Sequence, residues 1–540
     1  MGCSQLSMSR TRATFLSLAV LLAAVLGSSP ARAYCRAVTA TPPAGYDPST
    51  MGCFGIGDDG GADAGLHPLF WRNQCVSYSL QTAASKYVDL ADARRITADA
   101  FQAWSSAACP GGPPSIHAVA FPEVTCDTVP SAEHSNVIIF RDSTWPYDDA
   151  ANAIGFTTLT VDLTTGEILG ADTEINSAEW SIVPEPPAPP SSYDFATIIT
   201  HEAGHFLGLA HSADHTAVMF AKYQAGTVAL LPDDVAAICS VYSPDGTRDT
   251  SQGPIASLTC NPEPLGGFLA STCGSFDSGT TGLSAIGSGA GVDIGEFTPP
   301  CPDQSGCSVG GPAAPFGAEL AAGGLVAMVI AISFVRRSAR RRRAAAAALS
   351  IMLASLWVSA VGERSAQASV SPVAIFEELL KESSAAAVVT PTEQVVTWEG
   401  NRIVTRTHVR VDRLIAGQLP GDVWVRTLGG NVGNIGQIVE GQAVFAIDHP
   451  SVVFLRPHVD PTTKAKSEAF VVVDSAQGQF PIVTGEGQPP RLAHATNVGA
   501  LLDPPGGKSP GTRTAREVLD QRPLDDAARE IASTWGRAHG

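Results

Sequence analysis

The run His201-Glu202-Ala203-Gly204-His205-Phe206-Leu207-Gly208-Leu209-Ala210-His211 constrains this chain more tightly than any other segment. His205 follows His201 by one helical turn, so on a helix the two imidazoles share a face and can reach a single Zn²⁺ at about 2.0–2.1 Å. Glu202 then stands beside the ion without having to bind it. Gly208 can take a positive φ and end the helix, which lets the chain turn and return His211 as a third neutral ligand. Three protein ligands leave one position open for water, whereas a structural zinc needs a fourth and has no use for the acid. His201, His205 and His211 are therefore candidate ligands of one catalytic Zn²⁺, and Glu202 is the candidate general base.

The residues around this run read as an α+β domain. Strands are expected at Cys75–Leu80, Ile116–Phe121, Val137–Phe140, Ile154–Val161 and Ile168–Ile175, and helices at Leu90–Ala107, Ser192–Leu209 and Pro232–Tyr242. In the first helix Ile96, Ala100, Phe101 and Trp104 form one apolar face suited to a sheet.

Ser212 after the third histidine and Ala217-Val218-Met219 beyond it give a pattern that resembles the metzincins, and within them the matrixins. The resemblance extends to Ala100–Trp104, Asn136–Phe140 and Asp233–Ile238 with Tyr242, about 170 residues in all. It implies a metzincin-like catalytic domain, a zinc endopeptidase activity on polypeptides, and a packing role for Met219 in a turn beneath the histidines. It also implies that the strand at Ile154, Gly155, Phe156 and Thr157 edges the cleft, where an extended substrate would add as a further strand. Nothing before Tyr78 resembles the family's Cys-bearing latency segment, and its second, structural zinc site has no counterpart around Gly155–Asp172. Asp162, Asp172 and Glu174 could bind Ca²⁺ or be solvated strand ends.

Export is written at the N-terminus. Arg10 and Arg12, an apolar run from Ala13 to Gly27 and Ala31-Arg32-Ala33 form a signal peptide over residues 1–33. Ten further cysteines, six at Cys35, Cys53, Cys75, Cys109, Cys126 and Cys239 and four at Cys260, Cys273, Cys301 and Cys307, contain no C-x-x-C pair and suit disulfides in an oxidising compartment, with the pairing open. Residues 34–316 carry 31 Asp and Glu against 8 Lys and Arg, a charge of −23 that argues against nucleic acid as a partner.

The peptidase domain is assigned to 34–245 and a Gly/Ser/Pro-rich stalk to 246–317. Residues 318–335 are long and apolar enough for a transmembrane helix, with an Arg cluster at 336–343 expected in the cytoplasm. Gly306-Cys307 ahead of that helix resembles the sorting tail of myxobacterial surface proteins, which implies processing at Cys307 and surface display. A second apolar segment, 344–368, looks like another signal peptide; either the two runs form a membrane hairpin or two exported proteins have been joined. Both readings put the rest of the chain outside the cytoplasm, as a β-rich module at 369–510 similar to uncharacterised exported proteins and a C-terminal tail, 511–540, with helical character. His408 and His449 read as ordinary strand or turn residues. Nothing in the sequence specifies an oligomeric state. Two functions compete: an exported, membrane-anchored zinc endopeptidase, and an adhesion or matrix-binding protein whose zinc site is inactive or structural.

Overall fold

The computed structural model describes residues 34–40, 54, 66–125, 136–189, 191–221, 223–262, 370–400, 402–461, 463–485, 487–496, 498, 500–502 and 511–540. Residues 1–33, expected as a signal peptide, the apolar segments at 318–335 and 344–368, the Arg cluster and Cys307 lie outside these residues. Among the described residues no helix is long and apolar enough to cross a membrane.

A mixed sheet forms the frame of the N-terminal half. Strands β1 (Cys75–Leu80), β2 (His117–Ala120), β3 (Val137–Phe140) and β5 (Ile168–Ile175) run parallel to their neighbours, and β4 (Gly155–Asp162) pairs antiparallel with β5, in the order β4-β5-β3-β1-β2. β1 and β3 are buried throughout, as expected of strands covered on both faces. Helix α1 (Leu90–Ser105) starts at the Asp89 cap and buries Ile96, Ala100, Phe101 and Trp104, the face read from the sequence.

Two local readings change. The helix expected from Ser192 begins only at Phe195, because Ser192–Asp194 form a short strand, β7, beside β6 (Ser181–Val183), and the Asp194 carboxylate caps the helix by accepting from the Thr197 N–H at 2.7 Å. The stalk does not start at residue 246. Strands β8 (Thr247–Thr250) and β9 (Gly253–Ala256) form a hairpin folded onto the domain, and a Cys75–Cys260 disulfide ties the following segment to β1. Arg248 of this hairpin is fully buried, donating to the Trp71 carbonyl at 2.9 Å and the Ser115 carbonyl at 2.8 Å and lying over the Tyr242 ring. That disulfide pairs a cysteine of the N-terminal group of six with one of the following four, a pairing the sequence left open. Cys109–Cys239 links the segment after α1 to α3 (Pro232–Val241).

The C-terminal half is a closed five-stranded barrel. β11 (Ala385–Glu399), β12 (Arg402–Gly417), β13 (Val423–Leu428), β17 (Lys466–Val472) and β16 (Ser451–Val459) pair in that order, β13–β17 is the parallel contact, and β16 closes on β11. This strand order is that of an OB-type barrel, a fold that does not by itself specify a function. β18 (Gln479–Val483) and β19 (Arg491–Leu492) extend the sheet from β16. The segment from 511 is integral to the module rather than a tail. Helices α5 (Ala515–Leu519) and α6 (Leu524–His539) bury Leu519, Ala527 and Ile531 against Phe376, Leu379 and Leu380 of α4 (Phe376–Glu382).

The two halves belong to one compact unit. A hairpin between barrel strands β13 and β16, made of β14 (Gly430–Val432) and β15 (Ile435–Val439), leaves the barrel and joins the N-terminal sheet, with β15 antiparallel to β4 from Ile435 opposite Asp162 to Val439 opposite Thr158. β10 (Val370–Pro372) reaches the other end of β4, with Val370 opposite Gly155, and itself pairs with β20 (Ala500–Leu502). The sheet therefore has nine strands. Behind it Val404, Leu428 and Val439 of the module share an apolar cluster with Trp145, Ala150, Ala153 and Phe156.

Candidate metal centre

Helix α2 (Phe195–Phe206) carries His201, Glu202 and His205, and every one of its residues is buried. Its last carbonyls, which have no partner inside a helix, are taken by side chains: Trp71 Nε1 donates to the Phe206 carbonyl at 2.7 Å and the Tyr242 hydroxyl to the Leu207 carbonyl at 2.8 Å. Gly208 then adopts φ +83°, and a Cβ there would meet Ile168 at 3.0 Å and the Leu69 carbonyl oxygen at 3.2 Å. This turn returns His211 to the other two histidines.

The three imidazoles converge. Nε2 of His201 lies 3.0 Å from Nε2 of His205 and 3.2 Å from Nε2 of His211. Three nitrogens at 2.0–2.1 Å from a tetrahedral Zn²⁺ would stand about 3.3 Å apart, so the spacing suits one ion. His201 Nδ1 sits 2.8 Å from the Val218 carbonyl and His205 Nδ1 2.9 Å from the Leu209 carbonyl. A carbonyl can only accept, so each Nδ1 holds the proton and each Nε2 lone pair faces the centre. Burial pushes His201 down to about 4; burial and then the neighbouring imidazoles hold His205 and His211 well below the ordinary imidazole value, keeping all three neutral. Among the described residues this is the one group of three or more His, Cys, Asp or Glu that could hold a metal.

Glu202 is fully buried. Its Oε2 accepts from the Thr157 hydroxyl at 2.6 Å, while Oε1 has no hydrogen-bond partner among the described residues. Burial pushes its carboxyl up to about 7 against the lowering effect of Thr157. A buried carboxylate with one oxygen unbonded, beside three neutral imidazoles, fits a site made for a cation and a water molecule.

Met219 is buried below α2, and a Cβ on Gly204 would fall 2.2 Å from its sulfur and 2.9 Å from Trp104, so glycine at 204 permits this close approach. Asp234, which sequence reasoning passed over, fixes the turn: its carboxylate accepts from the backbone N–H of Val218 at 2.9 Å and of Met219 at 3.0 Å. Its signal was an acid in the first turn of α3, where an acid is ordinarily read as a helix-end preference.

Of the residues expected at the cleft edge, Ile154 is buried just before β4, while Gly155, Phe156 and Thr157 lie on it and Thr157 reaches Glu202. The edge itself is taken, by Val370 at Gly155 and by β15 from Thr158 onward. The three acids considered for Ca²⁺ are not brought together: Asp162 accepts from Thr164 and Thr165, Asp172 from the Val137 N–H at 3.1 Å, and Glu174 is paired with Arg141 and Arg402.

Comparison with known proteins agrees with this geometry. Residues 70–243 match the Matrixin family. The chain is 35% identical over 71 residues to the interstitial collagenase of Oryctolagus cuniculus, covering 13% of this chain and 15% of the relative. It is 32% identical over 97 residues to the interstitial collagenase of Bos taurus, covering 18% and 20%. It is 29% identical over 181 residues to matrix metalloproteinase-20 of Homo sapiens, covering 32% of each. The chain thus spans a third or less of the length of these relatives. Residues 70–243, with their three converging histidines, are a matrixin domain of the metzincin-like α+β type.

Proposed function

We propose that this protein is an exported zinc-dependent endopeptidase that hydrolyses peptide bonds of extracellular polypeptides. The observation that carries the reading is the pairing of three neutral, converging imidazoles with a buried Glu202 whose Oε1 is unbonded. Zinc held by His201, His205 and His211 would supply a Lewis acid that polarises a carbonyl and acidifies water. The chain's own residues do the rest. Glu202 accepts a proton from the attacking water and passes it to the departing amine nitrogen, so that water and one peptide bond become a carboxyl and an amine. Thr157, by bonding Oε2, holds the carboxylate so that Oε1 is the free base. The carbonyl bonds to His201 and His205 keep the ligand tautomers fixed. Asp234 and Met219 support the turn behind His201.

Export is supported by the N-terminal signal pattern and by the Cys75–Cys260 and Cys109–Cys239 disulfides, which persist in oxidising compartments. Residues 318–335 would anchor the chain in a membrane with both halves outside.

The test is hydrolysis of a quenched-peptide mixture by the zinc-loaded full chain and by its Ile438→Pro variant, which removes one N–H from the ladder along β4, each with and without chelator and with Glu202→Ala. Chelator-sensitive cleavage in either background, lost with Glu202→Ala, is the expected result. Cleavage no greater than that of Glu202→Ala in both backgrounds would return the protein to the adhesion reading.

A further inference from the structure

Two segments touch the side chains of the metal centre: β4, whose Thr157 bonds Glu202, and the turn at 218–219, whose Val218 carbonyl bonds His201. The C-terminal module engages both within three residues of those contacts. Val439 pairs with Thr158, next to Thr157, and the Leu501 N–H donates to the Ala221 carbonyl at 2.9 Å, two residues past Met219. Leu502 is buried in the same apolar cluster as Ile198, Ile199 and Met219.

The β15 contact is that of an added strand. The Leu163 N–H donates to the Asn434 carbonyl at 2.9 Å, and antiparallel alternation then makes Gly436 opposite Val161 and Ile438 opposite Leu159 the hydrogen-bonded pairs. An extended polypeptide entering along β4 needs these same N–H and C=O groups. Glu440 directly follows β15, and desolvation and then the charge of Glu202 push its carboxyl up to about 8.

The module is held there by more than the ladder. Arg402, buried, is paired with the buried Glu174; Arg426 with Asp149; and Arg456 with Asp148 at 2.6 Å. The Val459 N–H and Ser475 hydroxyl donate to Asp148 Oδ2 at 2.8 Å and the Asp149 carbonyl at 2.7 Å. These contacts and the shared cluster around Phe156 and Val439 desolvate a continuous junction.

We propose that residues 370–540 are the inhibitor of this chain's own cleft: β15 holds the position of a substrate strand along β4. The partner that fits the cleft edge of residues 70–243 is thus the module itself, and the peptidase is latent until the module is displaced or removed. The inference rests on the endopeptidase reading for its consequence, but the occupancy can be tested without catalysis.

The probe is a peptide with a terminal hydroxamate, a zinc chelator, added to the zinc-loaded full chain. Three chains are compared: wild type, Ile438→Pro, which removes a ladder N–H, and Glu440→Ala, which leaves the ladder intact. Ile438→Pro should bind the probe at least tenfold more tightly than wild type and cleave peptides at least tenfold faster, with a smaller gain for Glu440→Ala. In the wild type, saturating probe should speed amide hydrogen exchange at residues 435–439, a readout independent of whether either variant folds. Tighter probe binding by Ile438→Pro without cleavage by any chain would keep the occupancy and defeat the endopeptidase reading. Equal cleavage and equal probe affinity in all three chains would keep the endopeptidase and overturn the occupancy, as would unchanged exchange at 435–439 with the probe bound.

Discussion

Two buried polar clusters lie against β4, and they are built on opposite terms. One gathers His201, His205, His211 and Glu202: every imidazole is neutral, the lone pairs converge, and Glu202 Oε1 is bonded to nothing among the described residues. The other gathers Glu174 of β5 with Arg141, Arg402 and the Tyr147 hydroxyl: here the acid is bonded on both oxygens, at 2.6 Å from Arg141 Nε and 2.6 Å from Tyr147, and Arg402 comes from the other half of the chain. The first cluster lacks positive charge and has unused acceptors. The second contains its own counter-charges. A buried acid with an unbonded oxygen beside neutral imidazoles belongs to a site that takes up something from outside, whereas an acid held on both oxygens, with a cation from each half of the chain, fastens two parts of the protein together.

The difference can be broken most forcefully at Glu202. Glu202→Ala should lower kcat by about 10²–10⁴-fold, the usual contribution of a positioned general base, with metal content unchanged; steady-state kinetics and zinc analysis on one preparation check this. At the second cluster the loss should appear in stability. Arg402→Ala strips a buried carboxylate of one cation and should cost about 3–5 kcal/mol, seen in denaturant unfolding as loosening of the two halves. Adding zinc at about 1,000 times its Kd should contribute about 4 kcal/mol to the folded state through the first cluster, and His205→Ala should abolish that gain. A smaller effect is expected at Gly204→Ala, where the added methyl meets Met219 and Trp104; overpacking of this kind costs about 1–3 kcal/mol and is read as a lowered Tm.

Acid separates the clusters as well. Burial would raise the Glu174 carboxyl, but Arg141 and then Arg402 outweigh it and hold the group below the usual carboxylate range. An acid depressed on folding stabilises fully above its unfolded pKa, about 4.3, and the contribution is lost as pH falls through the folded value. Wild type should therefore lose melting temperature below about pH 4.3 more steeply than Glu174→Gln, as thermal melts at pH 6 and pH 3.5 would show. Equal slopes would remove Glu174 from the account.

How much of this was legible in the sequence depended on whether the signal was local. The convergence of His201, His205 and His211 was, because helical spacing and one glycine determine where the three histidines lie. So were β1, β3, β5 and the apolar face of α1, where hydrophobic period and burial coincide. The hairpin at 247–256 was not: its small and polar residues look like linker, and what holds it is the distant Cys75 and a pocket that buries Arg248. Nor was β15 legible as part of the catalytic sheet, since Ile435-Gly436-Gln437-Ile438-Val439 carries no mark of its partner and a backbone ladder joins it to residues some 270 positions away. Arg402 illustrates the same point, for an arginine on a strand reads as solvated until the acid it meets is known.

The most direct test of the central claim, that His201, His205 and His211 form one three-nitrogen zinc site, is X-ray absorption on the zinc-loaded full chain with metal content measured on the same sample. One zinc per chain is expected, bound by three imidazole nitrogens and oxygen at about 2.0–2.2 Å, and lost in His211→Ala. Sub-stoichiometric zinc, sulfur in the coordination shell, or full zinc retention without His211 would contradict it.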